Sequence, residues 1–69
     1  MRGLKEYLGL PYRVEIVPDE EGGYVVSFPE LKGCLTSGAT IESAIANAEE
    51  AKREWILAAL QEGYPIPEP

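Results

Sequence analysis

The 69 residues suffice for one small domain, and 45% apolar with 26% charged residues is typical of a folded globular protein. The net charge of −6, from twelve acidic and six basic residues without histidine, disfavours direct binding of nucleic acid, because phosphates would be repelled. The single cysteine, Cys34, excludes an internal disulfide and, in the absence of histidine, a Cys/His metal site.

The N-terminal segment predicts a short helix. Leu4, Tyr7 and Leu8 have helical spacing, and Gly9 can end the helix. A helix this short is stable only when it docks on the rest of the domain. The sequence has neither a signal-peptide pattern nor a run of roughly 20 apolar residues. We therefore expect a cytoplasmic protein that does not bind a membrane.

Two strands joined by a turn come next. Segments 12–17 and 24–28 alternate apolar and polar side chains, which predicts two half-buried strands. Segment 18–23, with sequence PDEEGG, predicts the turn that makes them an antiparallel hairpin. The residues expected to face the core are Tyr12, Val14, Ile16, Tyr24, Val26 and Phe28.

A short third strand at 34–37 leads into a long helix. Thr40 is a good N-cap, and Glu42 lies in the first turn, where the helix dipole favours an acidic side chain. The helix should end near Gly63, giving a length of roughly 33 Å, and the proline-rich segment 64–69 should be extended. Its expected apolar stripe consists of Ile41, Ala44, Ile45, Ala48, Ala51, Trp55, Ile56 and Ala59.

These elements predict an α+β domain spanning residues 1–69. A small antiparallel three-stranded sheet is covered by one long helix, in the order β-β-β-α, with a short helical turn at the N-terminus. A domain of this size buries only about 60% of the surface that its unfolded chain exposes, so we expect a homodimer or a higher homo-oligomer.

No pattern in the sequence predicts catalysis. Histidine, the usual general base, is absent, and nothing near Cys34 would lower the pKa of its thiol. Asp19, Glu20 and Glu21 are consecutive in a turn, which favours a solvated loop over a metal site that draws carboxylates from several elements. We predict no catalytic residue, no metal site and no cofactor.

Two groups of residues are candidates for binding a partner. The acidic turn would attract a basic protein. Leu57 points towards the polar side of the helix, and with Leu60 and Tyr64 it could form an exposed apolar patch. Alternatively, the N-terminal helix folds back and covers that patch. The candidate partner-binding residues are Asp19, Glu20, Glu21, Leu57, Leu60 and Tyr64.

Several motifs resemble the N-terminal domain of HicB-family antitoxins. They are GGYVV at 22–26, FPELKGC at 28–34, TSGATIESAIANA at 36–48 and IPEP at 66–69. The spacing between the second and third motifs is more specific than either one alone. The structural positions of this pattern are Phe28, Pro29, Gly33, Gly38 and Thr40.

The resemblance implies a partial ribonuclease-H-like fold, with a further strand in many members, and a role in a type II toxin–antitoxin system. The implied partner is HicA, a small basic ribonuclease whose catalytic histidine the antitoxin masks. A DNA-binding domain usually follows in the family, whereas this sequence stops at Pro69. The chain is then either a fragment or a stand-alone member, and operator DNA would be bound only through a domain that is missing here.

Two other functions stay open at the level of sequence. One is a metal-dependent, ribonuclease-H-like nuclease relic, for which Glu15 is the carboxylate that the hairpin strands offer. The other is a stand-alone module that oligomerises or binds a small molecule. A conspicuous apolar pocket would favour the small-molecule function, and a flat face would favour an antitoxin.

Overall fold

A computed structural model describes residues 2–69 and confirms the predicted α+β architecture. The sheet has the order β1-β2-β3, and both strand pairs are antiparallel. The third strand is shifted by one residue from the predicted 34–37, and the first strand runs from Glu15 to Pro18 instead of the predicted 12–17. The elements are α1 (Leu4–Leu8), β1 (Glu15–Pro18), β2 (Tyr24–Ser27), β3 (Leu35–Gly38) and α2 (Ile41–Glu62).

The helix α2 begins and ends where its sequence predicts. The Thr40 hydroxyl accepts a hydrogen bond from the Ser43 backbone N–H at 3.1 Å, which satisfies one of the free donors of the first turn. Gly63 ends the helix in the left-handed conformation, with φ of 73°. None of the helices in residues 2–69 is long and apolar enough to cross a membrane.

The core lies between α2 and the inner face of the sheet. Small alanines on α2 let the helix approach β3 closely, and Ile56 of the same helix is fully buried in the core. Segment 28–34 closes the end of the sheet through hydrogen bonds from Phe28 N–H to Cys34 and from Cys34 N–H to Leu31. The buried apolar residues are Tyr12, Val26, Phe28, Leu31, Cys34, Ala44, Ala48, Ile56 and Ala59.

The prediction that β1 is half-buried is wrong. Val14 and Ile16 keep 45% and 40% of their surface exposed, and every residue of β1 is exposed. Among residues 2–69, α2 contacts β3 and β2, whereas no contact joins it to β1. An α-helix is about 10 Å wide and strands lie about 4.8 Å apart, so one helix covers two strands and leaves the third open.

The C-terminal segment 64–69 is neither helix nor strand, and it lies against the start of the chain. The Tyr12 hydroxyl donates a 2.6 Å hydrogen bond to the Pro67 carbonyl oxygen, and the Arg2 guanidinium forms a 2.7 Å ion pair with Glu68. The hydroxyl bond is the stronger restraint, because the ion pair is exposed to solvent.

Candidate partner-binding surface

The turn between β1 and β2 holds three acidic side chains in solvent. Asp19 N–H donates to the Gly23 carbonyl oxygen, and the Asp19 carboxylate accepts from the Glu21 backbone N–H at 3.0 Å. This local bonding fixes the turn and leaves Glu20 and Glu21 pointing outwards. Gly22 adopts a φ of 105°, which other residues rarely tolerate. The predicted acidic loop therefore has a defined shape.

The turn lies beside the start of α2 because glycine brings the backbones close together. A methyl group built on Gly23 would lie 2.7 Å from the Gly38 carbonyl oxygen, and one built on Gly38 would lie 2.4 Å from the Ala44 nitrogen. Neither site has room for a side chain. Glu42, in the first turn of α2, therefore lies at the same end of the domain as the hairpin turn.

We call Asp19, Glu20, Glu21 and Glu42 the acidic end. No lysine or arginine occurs between Arg13 and Lys32, or between Lys32 and Lys52. The basic side chains thus belong to the opposite end of the domain and to the later half of α2. A shallow cleft of about 450 Å³ opens at the acidic end, lined by Asp19, Gly22, Gly23, Tyr24, Ser37, Gly38 and Ala39.

The second predicted cluster is partly covered. The helix α1 packs against α2, and Leu60 is half-buried against the core, as the alternative prediction for this patch requires. Leu57 and Tyr64 stay 37% and 64% exposed. Tyr64 also borders a second open cleft, of about 390 Å³, together with Trp55 and Pro65. Only part of the predicted apolar patch is therefore available to a partner.

The acidic turn and the C-terminal apolar residues do not form one site. The acidic turn lies beside the first turn of α2, and Leu57 lies sixteen residues beyond Ile41 along the helix. At 1.5 Å per residue this is a separation of about 24 Å. A small partner that covers one cluster would leave the other exposed.

The motif residues of segment 28–34 have structural roles. Phe28 is buried, and Gly33 takes a φ of 82° that turns the chain back towards β3. The Trp55 indole N–H donates to the Lys32 carbonyl oxygen at 3.0 Å, which fixes the segment to α2. Pro29 lies on the surface of this segment. The motif therefore joins the sheet to the helix.

Sequence reasoning missed a buried lysine in this region. Lys52 is 6% exposed, and its ammonium lies 5.4 Å from the Phe28 ring centre and 3.5 Å from a Glu49 carboxylate oxygen. The aromatic face and the carboxylate both attract the ammonium group. The sequence does contain a signal for this burial, because Lys52 lies four residues from both Ala48 and Ile56, in the middle of the apolar stripe.

The side chains considered for catalysis are separated in space. Cys34 is buried, and burial raises the pKa of its thiol, so the reactive thiolate is disfavoured. Glu15 lies on the exposed strand β1. Within residues 2–69, no three acidic or cysteine side chains come together in a group that could hold a metal ion.

The family comparison covers most of the chain. A family model described as the HicB_like antitoxin of bacterial toxin–antitoxin systems matches residues 12–69. The UPF0150 protein Ta0767 of Thermoplasma acidophilum is 41% identical over 58 residues, which are 84% of each chain. Named antitoxins also match. Antitoxin HicB 1 of Photorhabdus laumondii is 50% identical over 40 residues, which are 58% of this chain and 26% of that one. Antitoxin HicB of Escherichia coli K12 is 42% identical over 40 residues, which are 58% of this chain and 29% of that one.

Proposed function

The chain belongs to the HicB-like antitoxin family of bacterial toxin–antitoxin systems, and we propose that it binds and neutralises a small basic, RNA-cleaving toxin of the HicA type. We assign the toxin contact to the acidic end. The observation that carries this assignment is the collection of Asp19, Glu20, Glu21 and Glu42 at one end, next to long stretches of sequence without a basic residue.

Electrostatics favour this end for a cationic partner. Four exposed carboxylates create a negative potential, and the positive helix N-terminus beside Glu42 offsets only about half a charge. Such a potential raises the association rate of a basic protein. The cleft at this end has room for a lysine or arginine side chain of the partner, with Asp19 at its wall.

Apolar side chains next to the acidic end would give the complex its lifetime. Val17, at the end of β1, and Ile41, at the start of α2, are both exposed there. Burying such residues in an interface slows dissociation, whereas the surrounding charges mainly change the rate of encounter. Leu57 and Tyr64, at the far end of α2, are not needed for this contact.

A kinetic experiment tests the assignment. The chain is mixed with the HicA-like protein encoded beside it, and co-elution in size-exclusion chromatography at moderate salt establishes whether they bind. The triple variant Asp19→Asn, Glu20→Gln, Glu21→Gln should then lower the association rate constant by about tenfold at low salt. It should also flatten the dependence of that rate on ionic strength.

A matched control carries the same change of net charge elsewhere. Glu50→Gln, Glu54→Gln, Glu62→Gln neutralises three exposed carboxylates along α2 and should reduce the association rate much less. Leu57→Ser should leave the dissociation rate unchanged. Equal effects of the two triple variants would contradict the assignment to the acidic end. Failure to co-elute would contradict the proposed function itself.

A further inference from the structure

We propose that segment 12–16, which runs into β1 at Glu15, pairs with the same segment of a second copy of this chain. The two strands would run antiparallel about a two-fold axis at Val14 and form one continuous six-stranded sheet. This inference concerns the free edge of β1 and does not depend on the identity of the toxin.

The free edge of β1 offers unpaired backbone groups. Asp19 N–H donates to Gly23, so the backbone of Asp19 points towards β2. Because the direction alternates along an antiparallel strand, Glu15 and Val17 also point towards β2. Val14 and Ile16 must then direct their N–H and C=O groups away from the sheet, where a second strand can bind them.

The domain exposes more surface than its mass alone predicts. The 7.6 kDa chain exposes 4796 Å², whereas a monomeric protein of this mass exposes about 4300 Å². The difference belongs to the whole elongated domain, whose extents are 41 × 18 × 18 Å, and the open edge of β1 is one part of it. Val14 and Ile16 are among the exposed apolar residues that contribute to it.

Charge and proline positions select the register. With the axis at Val14, Arg13 of each copy lies directly opposite Glu15 of the other, on the outer face, so two opposite-charge pairs form. An axis at Glu15 would place two carboxylates opposite each other. An axis at Ile16 would bring Pro18, which has no N–H, into the ladder opposite Val14.

The proposed register supplies four backbone hydrogen bonds. Val14 exchanges two bonds with Val14 of the second copy, and each Ile16 N–H donates to the Tyr12 carbonyl oxygen across the axis. Pro18 stays outside the ladder and limits its length. The two copies of α2 then lie on the same face of the joined sheet, because the two-fold axis is perpendicular to it.

Variants that exchange the charges of Arg13 and Glu15 test both the interface and the register. Sedimentation equilibrium of the full chain should give a dimer at tens of micromolar. Arg13→Glu and Glu15→Arg should each raise the dimer dissociation constant by about tenfold or more, because each places like charges opposite each other twice. The double variant should restore the original constant. The exchange Arg53→Glu, Glu54→Arg on α2 is the control and should change nothing.

Amide hydrogen exchange of the unchanged chain supplies an independent measurement. The amides of Val14 and Ile16 should become protected as the concentration passes through the dimer dissociation constant. The proposal is overturned by a chain that stays monomeric, because β1 would then be free for a toxin strand or another segment. It is equally overturned by a dimer insensitive to the single variants, by a double variant that does not recover, or by β1 amides that stay unprotected in the dimer.

Discussion

The two edges of the sheet differ in how they are covered. On β3, the backbone of Ser37 points away from the sheet, and the Asn47 side-chain amide of α2 donates to its carbonyl oxygen at 2.9 Å. At the other edge, Ile16 of β1 and the preceding Val14 are both exposed, and neither helix of residues 2–69 contacts β1. The chain therefore covers the β3 edge at Ser37, although Leu35 of the same strand stays 60% exposed, and it leaves the β1 edge open.

The comparison shows how a single helix determines which surfaces of a small sheet stay open. The helix α2 follows directly after β3 and packs on β3 and β2, and its width does not extend to β1. The two surfaces that we propose for association, the edge of β1 and the acidic end, are consequently separate. We expect each to be altered by substitution without unfolding the other half of the structure.

The largest effect is expected when a buried side chain is shortened in the half of the domain that α2 covers. Ile56 lies on the buried face of α2 and is fully buried. Ile56→Ala should therefore lower the free energy of unfolding by about 2–5 kcal/mol, because apolar burial is lost and a cavity remains. Ile16→Ala removes the same atoms from the uncovered strand and should cost less than about 1 kcal/mol in the monomer. Urea unfolding of both variants at low concentration measures the difference. Similar losses would mean that β1 is covered.

A smaller but still large effect is expected where β3 meets α2. Gly38→Ala would push a methyl group against the Ala44 backbone, and a clash in a well-packed contact costs about 1–3 kcal/mol. Gly9→Ala is the control, since its added methyl meets only ordinary contacts at 3.6 Å and its backbone is in the right-handed helical region. Thermal unfolding should separate the two. A neutral Gly38→Ala would disprove the close packing of helix on sheet.

The buried residue that precedes β1 should make stability depend on alkaline pH. Burial raises the pKa of the Tyr12 phenol, as it does that of the Cys34 thiol, so each group stabilises the fold in its neutral form. These contributions are complete below the unfolded pKa values, about 8.5 for cysteine and about 10 for tyrosine, and are lost as the pH rises through the higher folded values.

Tyr12→Phe separates the contribution of the Tyr12 phenol from that of the Cys34 thiol. Loss of the hydrogen bond to Pro67 should cost about 0.5–1.5 kcal/mol at pH 7. The variant should also lose less stability than the unchanged chain between about pH 10 and pH 11, because this range lies just above the ordinary tyrosine pKa of about 10. Melting temperatures across this range provide the measurement. A variant with an unchanged alkaline slope would assign the effect to another group.

The smallest expected effect concerns the covered edge itself. Asn47→Ala removes the hydrogen bond to Ser37 at an exposed position and should cost about 0.5 kcal/mol. It should also uncover part of the β3 edge, so self-association should increase at high concentration. Light scattering of this variant beside Glu50→Ala, a change elsewhere on the exposed side of α2, would show whether Asn47 protects that edge.

Much of the fold was predictable, because hydrophobic periodicity and capping residues act locally. Thr40 and Gly63 marked both ends of α2, and the alternation in 24–28 marked the central strand. The exposure of β1 was not predictable from alternation alone, since Val14 and Ile16 have the pattern of a buried face. Their environment depends on the width and position of a helix that comes much later in the chain.

The candidate surface was predictable only in pieces. The acidic turn was evident from consecutive carboxylates, and its closeness to Glu42 follows from the antiparallel path of β3. Its separation from Leu57 and Tyr64 needed the helix to be placed on the sheet. Lys52 was missed because charge alone suggested a solvated residue, although its spacing placed it within the apolar stripe.

The central claim is that this domain acts by covering the working surface of another protein. Its most direct test is a titration of a HicA-like toxin, the partner proposed above, with the chain, followed through cleavage of a messenger RNA. The account predicts that cleavage falls in proportion to added chain and stops at a fixed stoichiometry. Undiminished cleavage in the presence of excess folded chain would contradict it.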